Sequence, residues 1–255
     1  MNIDFSNKNV IITGGSRGIG KAIAKLFSEA SANVIFTYHS NHNAAQETML
    51  ELSGTGKHRH YELNIANPTS VSQFVDQVIK AYGAVDILIN NAGVFIEHKL
   101  AEIDFAEWQN IWNRTINTNL TGVSNLCYLV ARQMINSRKG KIINISSRGA
   151  FRGEPNCPAY GASKAGLNAL SQSLAQYLAP YNIRVGVIAP GFVETEMVAD
   201  LLDSPAGEQI KDQSPLKRAA SPEEIARVVA LSAMEGIDYM TGSIIDVNGA
   251  SYLRS

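Results

Sequence analysis

The apolar run Lys8-Asn9-Val10-Ile11-Ile12 leads without a break into Thr13-Gly14-Gly15-Ser16-Arg17-Gly18-Ile19-Gly20, after which Ala22-Ile23-Ala24-Lys25-Leu26-Phe27 takes up helical periodicity. A strand, a glycine turn and a helix in immediate succession are the opening of an open α/β sheet. Glycines let the backbone approach a pyrophosphate without Cβ clashes, and the free N–H groups at the helix start favour its charge. The turn therefore reads as a phosphate cradle built by Gly14, Ser16, Arg17, Gly18, Ile19 and Gly20. Its spacing departs from Gly-x-Gly-x-x-Gly, and it lacks the Gly-Lys-Ser/Thr ending of a P-loop. A tight strand-to-helix connection without a ligand is the plainer alternative.

Further βα units follow. Asn33-Val34-Ile35-Phe36-Thr37-Tyr38 is a second strand, and no carboxylate stands at its end, where His39, Ser40 and Asn41 follow. An NAD site places an acidic residue there, about 20 residues past the glycines, to take the ribose hydroxyls. Arg17 and Ser40 instead favour the 2′-phosphate of NADP, with Tyr38 a further cofactor contact, so NADP(H) is preferred and NAD(H) is the alternative. A strand near His58-Leu63 precedes Asn64-Ile65, where Asn64 either reads the adenine amine or caps a turn. Pro68 opens a helix, and Val85-Asp86-Ile87-Leu88-Ile89 ends at Asn90-Asn91-Ala92-Gly93. A long helix from about Glu107 to Ser137 carries Trp108, Trp112, Ile116, Leu120, Val123, Cys127, Val130 and Met134 on one stripe, with Asn119 off it. So many large apolar residues suggest a subunit contact.

The chemistry gathers at Ser147 to Lys164. The run Lys141-Ile142-Ile143-Asn144-Ile145-Ser146 reads as a buried strand that delivers Ser147 at its C-terminal end. In the helix Ala159-Leu178, marked by Leu167, Leu170, Leu174 and Leu178, Tyr160 and Lys164 lie one turn apart. A lysine ammonium beside a phenol is expected to lower its pKa from ~10, and a serine hydroxyl nearby could hold the substrate oxygen. A surface Tyr-Lys pair is the bland alternative. Ile183 to Ala189 is a sixth strand that ends at Pro190-Gly191-Phe192-Val193-Glu194-Thr195. Residues 196–216 have weak periodicity and suit a mobile lid. Pro222-Glu223-Glu224 opens a last helix, and Gly242-Val247 forms a final strand.

Composition narrows the class. With 255 residues, 45% apolar and 18% charged, the chain has an ordinary soluble composition and reads as one domain over 1–255. A net charge of −1 gives no field for nucleic acid or an acidic membrane, and no run approaches a membrane span. The two cysteines and five histidines show no metal-ligand spacing, so no metal is expected. No signal segment is evident at Met1-Asn2-Ile3-Asp4-Phe5, which points to the cytoplasm.

Taken together, these motifs resemble the short-chain dehydrogenase/reductase family along nearly the whole chain. Thr13 to Gly20 is similar to its cofactor turn, Asn90-Asn91-Ala92-Gly93 to its sheet-stabilising motif, and Pro190-Gly191 with Val193 and Thr195 to the segment that holds the nicotinamide carboxamide. Asn119, Ser147, Tyr160 and Lys164 match its catalytic tetrad in order and spacing. The resemblance implies a single-domain Rossmann-type doubly wound parallel sheet of about seven strands with helices on both faces. It also implies that Tyr160 protonates a carbonyl oxygen positioned by Ser147, that Lys164 holds the nicotinamide ribose and acidifies Tyr160, and that Asn119 holds a relay water. Cofactor contacts are expected from Gly14 to Gly20, Tyr38, Ser40, Asn64, Ile65, Asn91, Ala92, Gly93, Tyr160, Lys164, Pro190, Gly191, Val193 and Thr195.

Within the family, Leu178 to Val185 and Ser214 to Arg218 are most similar to the 3-oxoacyl-[acyl-carrier-protein] reductases of fatty acid biosynthesis, which usually form homotetramers or homodimers. An acyl-carrier-linked substrate follows from that likeness, with Arg138 and Lys139 as a place for the carrier's acidic surface or simply a solvated helix end. The loop Gly149 to Asn156 is not typical of those reductases, since it carries Arg152 and Glu154 beside the site. A sugar or alcohol dehydrogenase or a general carbonyl reductase remains open. A sugar-nucleotide epimerase would space the turn differently and would need a substrate domain that the residues after Lys164 hardly accommodate. A non-catalytic nucleotide sensor would have no use for the intact tetrad.

Overall fold

The computed structural model describes residues 3–196 and 205–254. Seven parallel strands form one sheet in the order β3-β2-β1-β4-β5-β6-β7, the doubly wound arrangement expected from the sequence. They are β1 (Asn9–Ile12), β2 (Asn33–Tyr38), β3 (Arg59–Glu62), β4 (Ile87–Asn90), β5 (Gly140–Ile145), β6 (Ile183–Pro190) and β7 (Ile244–Val247). Between them run α1 (Gly18–Glu29), α2 (His42–Glu51), α3 (Pro68–Tyr82), α4 (Phe105–Ile116), α5 (Gly122–Ser137), α6 (Gly149–Arg152), α7 (Pro158–Leu178), α8 (Pro205–Asp212) and α9 (Pro222–Ala233).

Side chains in a strand alternate between faces, and the central strands are apolar on both. Val10 and Ile12 of β1 therefore join a core with Ala24 and Phe27 of α1 and Ile225 and Val229 of α9, while Ile11 between them joins the opposite core with Phe74 and Val78 of α3, Val130 of α5 and Leu167 of α7. The sheet has no wet face along its middle strands, and all their loops are driven to its two edges.

Local chemistry sets the helix starts. The side chains of Asn41, Asn67 and Asp104 accept the orphan backbone N–H groups of α2, α3 and α4, and Pro68 occupies a first-turn position that needs no donor. At α9, Ser221 and Glu224 cap each other's backbone N–H. The long helix expected from Glu107 to Ser137 is present with one interruption: between α4 and α5, Asn117–Thr121 form a π-helical turn closed by a bond from Gly122 N to Asn117 O. A Cβ at Gly122 would collide with the Ile65 carbonyl, so this close packing requires glycine. The proposed lid over 196–216 lies partly outside the described residues; within it, α8 is helical where the sequence offered only weak periodicity.

Candidate active site

The strand order reverses between β1 and β4, and the C-terminal ends of β1, β4, β5 and β6 converge there, the crevice in which such sheets hold ligands. Gly14 and Gly18 adopt φ values of +65° and +52°, and a Cβ at Gly20 would drive into the Gly14 carbonyl. A Cβ at Gly18 would also stand 3.0 Å from Cγ2 of Thr195, which ties the turn to the segment after β6. The first turn of α1 carries no acidic residue, so its N-terminal end keeps its positive character.

The turn is held by groups from β4. Thr13, fully buried, accepts hydrogen bonds at its hydroxyl from the backbone N–H of both Asn91 (3.0 Å) and Ala92 (2.9 Å). The Asn91 amide donates in turn to the carbonyls of Thr13 and Gly14, at 3.0 Å each. Asn91 thus fixes the cradle, and Gly93 beside it faces Asn119 and Lys164. Sequence reasoning misses Thr13, although a hydroxyl residue between an apolar strand and the glycines is its signal.

Just past the end of β5, Ser147 accepts a hydrogen bond from Gly149 N at 3.0 Å, and its hydroxyl acts on the Tyr160 phenol to lower its pKa. Phe95 stands edge-on to the Tyr160 ring at 5.0 Å. The start of α7 is pinned by buried His98, whose Nε2 accepts from Ala159 N at 3.2 Å while Nδ1 meets the Ile96 carbonyl at 2.8 Å. The His98 ring thus has a structural part, holding the start of α7 to the loop after β4. The cysteines are buried, with burial pushing both thiols up to about 12, and no metal-binding cluster occurs among the described residues.

Lys164 departs from expectation. Its ammonium donates to the Ile145 carbonyl at 2.8 Å and lies 5.7 Å from the centre of the Tyr160 ring. Burial pulls Lys164 down to about 8. Burial also pushes Tyr160 up to about 12, against the opposing pull of the Ser147 hydroxyl, and the Glu154 charge adds to the rise. In both groups desolvation by burial is the largest influence, and it acts against an acidified phenol.

Asn119 sits in the π turn, fully buried. Its Oδ1 accepts from Val94 N at 2.8 Å, and its amide donates to the Val94 carbonyl at 2.9 Å and to Ser163 Oγ at 3.1 Å. The carboxamide ties the loop after β4 to α7, and its hydrogen bonds are already made to protein. π-Helical turns cluster at functional sites, and this one aims a tetrad residue.

The adenosine end is less uniform. Asn64 is exposed and accepts from Ala66 N at 3.1 Å, so it caps its own turn. Buried Tyr38 bonds His42 Nδ1 at 2.8 Å, while Ser40 is exposed. Ile65 is buried against Gly122. Arg17 is mostly exposed and lies 3.5 Å from Glu196 Oε2. Across the crevice, Pro190 accepts at its carbonyl from Arg148 N, Gly191 packs on Asn248, and Val193 is buried.

Arg138 and Lys139 precede β5 and so stand at the N-terminal ends of the strands, opposite Ser147 at their C-terminal ends, with Arg138 donating to the Pro180 carbonyl and Lys139 lying 3.8 Å from Asp86. That end of the sheet also holds a cavity of about 280 Å³, where Lys8 and Lys141 both pair with Glu235.

A doubly wound sheet with a glycine cradle at its switch point and a Ser-Tyr-Lys cluster across the crevice defines an oxidoreductase that uses a nicotinamide dinucleotide. The model of the short chain dehydrogenase family matches residues 8–206. The chain is 40% identical over 245 residues to the 3-oxoacyl-[acyl-carrier-protein] reductase FabG of Chlamydia trachomatis, with 95% of this chain and 96% of that one covered. It is 39% identical over 252 residues to the enzyme of the same name from Escherichia coli, covering 98% and 100%. A solved structure from Brucella melitensis, described as a short-chain dehydrogenase/reductase and glucose/ribitol dehydrogenase, superposes with a TM-score of 0.90 at 30% identity over the full length of both. The chain belongs to the short-chain dehydrogenase/reductase family and is an oxidoreductase acting on CH–OH and C=O groups. Its cradle fits the NAD(P)(H) of that family. No described helix is long and apolar enough to cross a membrane.

Proposed function

We propose that this protein reduces the 3-keto group of an acyl thioester, carried on an acyl carrier protein, with NADPH as the preferred reductant and NADH as a possible second. The reading rests on the Ser147 hydroxyl acting on the Tyr160 phenol just past the end of β5, across the crevice from the glycine turn. The names of the Chlamydia and Escherichia relatives support the thioester. The lack of any carboxylate at the end of β2, together with exposed Arg17 and Ser40, supports the 2′-phosphate.

When bound, the nicotinamide supplies or takes the hydride. The chain's residues do the rest. Ser147 holds the carbonyl oxygen with its hydroxyl, and Tyr160 gives that oxygen a proton. A phenol near 12 is protonated at neutral pH, the state required of a donor in the reducing direction. Lys164 stands within α7 to meet the nicotinamide ribose, and Asn119 keeps the loop after β4 against α7. The cradle from Gly14 to Gly20 takes the pyrophosphate, with Tyr38, Ser40, Asn64 and Ile65 around the adenosine and Asn91 to Gly93, Pro190, Gly191, Val193 and Thr195 around the nicotinamide half.

We read residues 1–255 as one cytoplasmic domain without a metal, assembled as a homotetramer or homodimer. Half-exposed Trp108 and Trp112, stacked at 5.8 Å, and exposed Phe105 and Tyr128 on α4 and α5 support a subunit contact. The Brucella structure's description keeps a sugar or polyol substrate as the second reading.

Steady-state assays with NADPH and acetoacetyl thioesters test the proposal. Tyr160→Phe should lose turnover while NADPH affinity stays nearly the same; full activity in that variant would reject the assigned donor.

A further inference from the structure

Two features of the loop after Ser147 are unused by the chemistry above. Gly149 has no side chain, and the space a Cβ would take is filled by the Glu154 carboxylate, with Oε1 2.7 Å from that point. Since Gly149 donates its N–H to Ser147 Oγ, this places the Glu154 carboxylate beside the residue that holds the carbonyl oxygen. Its charge is felt at Tyr160.

Glu154 is half-buried, yet among the described residues its carboxylate makes no hydrogen bond and no ion pair. Burial raises its pKa, opposed by Arg152 and Arg148 acting through space only. Those two guanidinium groups bond Gln213 Oε1 instead, and Arg148, whose buried Nη1 has no hydrogen-bond partner among the described residues, lies over the Phe192 ring at 4.7 Å. The Glu154 oxygens still reach solvent, so in the free protein water is their donor, and a ligand that displaces that water must bring a donor of its own. An ionised carboxylate only accepts, so the matching ligand group is a hydroxyl or an ammonium. Arg152 and Arg148 act on Glu154 as positive charges, which disfavours an ammonium there and leaves the hydroxyl.

We propose that Glu154 determines substrate specificity by accepting a hydrogen bond from a hydroxyl carried next to the reacting carbonyl, so that the site takes hydroxyketones and, in reverse, vicinal diols. The reaction is unchanged, with hydride delivered to the carbonyl carbon and the Tyr160 proton to its oxygen; only the substrate class is new. The inference rests on the ketone-reductase reading and extends it beyond plain acyl chains.

Hydroxyacetone and butanone test it as a pair, since they differ by one hydroxyl in place of a methyl. With full-length protein and NADPH, the wild type should favour hydroxyacetone in kcat/KM by roughly 10- to 100-fold, the range set by one hydrogen bond to a charged acceptor. Glu154→Leu should bring that ratio close to one, and Glu154→Gln, which keeps an acceptor oxygen, should hold it between the two. A wild type without the preference, or a Glu154→Leu variant that lowers both substrates together, would overturn the proposal. Acetoacetyl thioester reduction in parallel separates the outcomes: thioester turnover without a hydroxyl preference sinks the role of Glu154 alone, and no carbonyl turnover at all sinks the reductase reading beneath it.

Discussion

Replacing Lys164 with methionine should disable the enzyme and make the fold more stable at neutral pH. Lys164 is 5% exposed, and burial takes its pKa from 10.5 to about 8. At pH 7 the ammonium is charged in both folded and unfolded chains, and that fall corresponds to about 3 kcal/mol of penalty on the folded state. Its bond to the Ile145 carbonyl offsets the penalty, and losing it costs about 1 to 2 kcal/mol. Methionine fills similar volume without charge, so a net gain of about 1 to 2 kcal/mol remains, or a rise of roughly 2 to 8 °C in Tm for a chain of this size. The sign of the pH dependence follows from the depressed pKa. The unfolded chain binds more protons than the folded one between about 8 and 10.5, so the wild type recovers stability as pH rises through that window. Urea melts of both proteins at about pH 7 and about pH 9.5 should show the variant's advantage shrinking by about 2 kcal/mol. A variant less stable at neutral pH, with a gap that does not change with pH, would refute the claim that Lys164 is held in place at a desolvation cost.

Other outcomes concern the cradle. Thr13→Val keeps the shape but strips the acceptor from two part-buried N–H groups, those of Asn91 and Ala92, and should cost about 1 to 4 kcal/mol in urea unfolding, whereas Thr13→Ser should recover most of it. Equal stability for the two variants would mean that water replaces the hydroxyl. Arg17→Ala should raise the Kd for NADPH by roughly 10-fold or more and leave NADH nearly untouched, read by cofactor fluorescence; equal losses would remove Arg17 from 2′-phosphate recognition.

Much of the fold and site is legible in the residues because the signals are local. The unbroken passage from β1 through the glycines into α1 specifies its own geometry, and the four-residue spacing of Tyr160 and Lys164 puts both on one face of α7. What resists is set by partners far away in sequence. The direction of the Tyr160 pKa depends on burial contributed by several loops, and the direction of the Lys164 ammonium depends on the Ile145 carbonyl. Asn64 offers adenine reading and turn capping as equals; the N–H of Ala66, two residues on, is the nearer partner. The hydroxyl of Thr13 and the clasp of Gln213 by Arg148 and Arg152 require chain segments whose meeting no spacing announces.

The widened turn at Asn117–Thr121 carries a last consequence. A π turn holds an extra residue against the α-helical repeat, so it acts as a phase shifter: α4 is rotated by about 100° relative to α5. Deleting one residue there would give a more regular helix, and would swing either the Asn119 carboxamide off Val94 or the Val123-Met134 seam off the sheet. The same few residues cannot satisfy ideal helical geometry and both of these attachments at once, which makes irregularity at this point a condition of the active site's alignment.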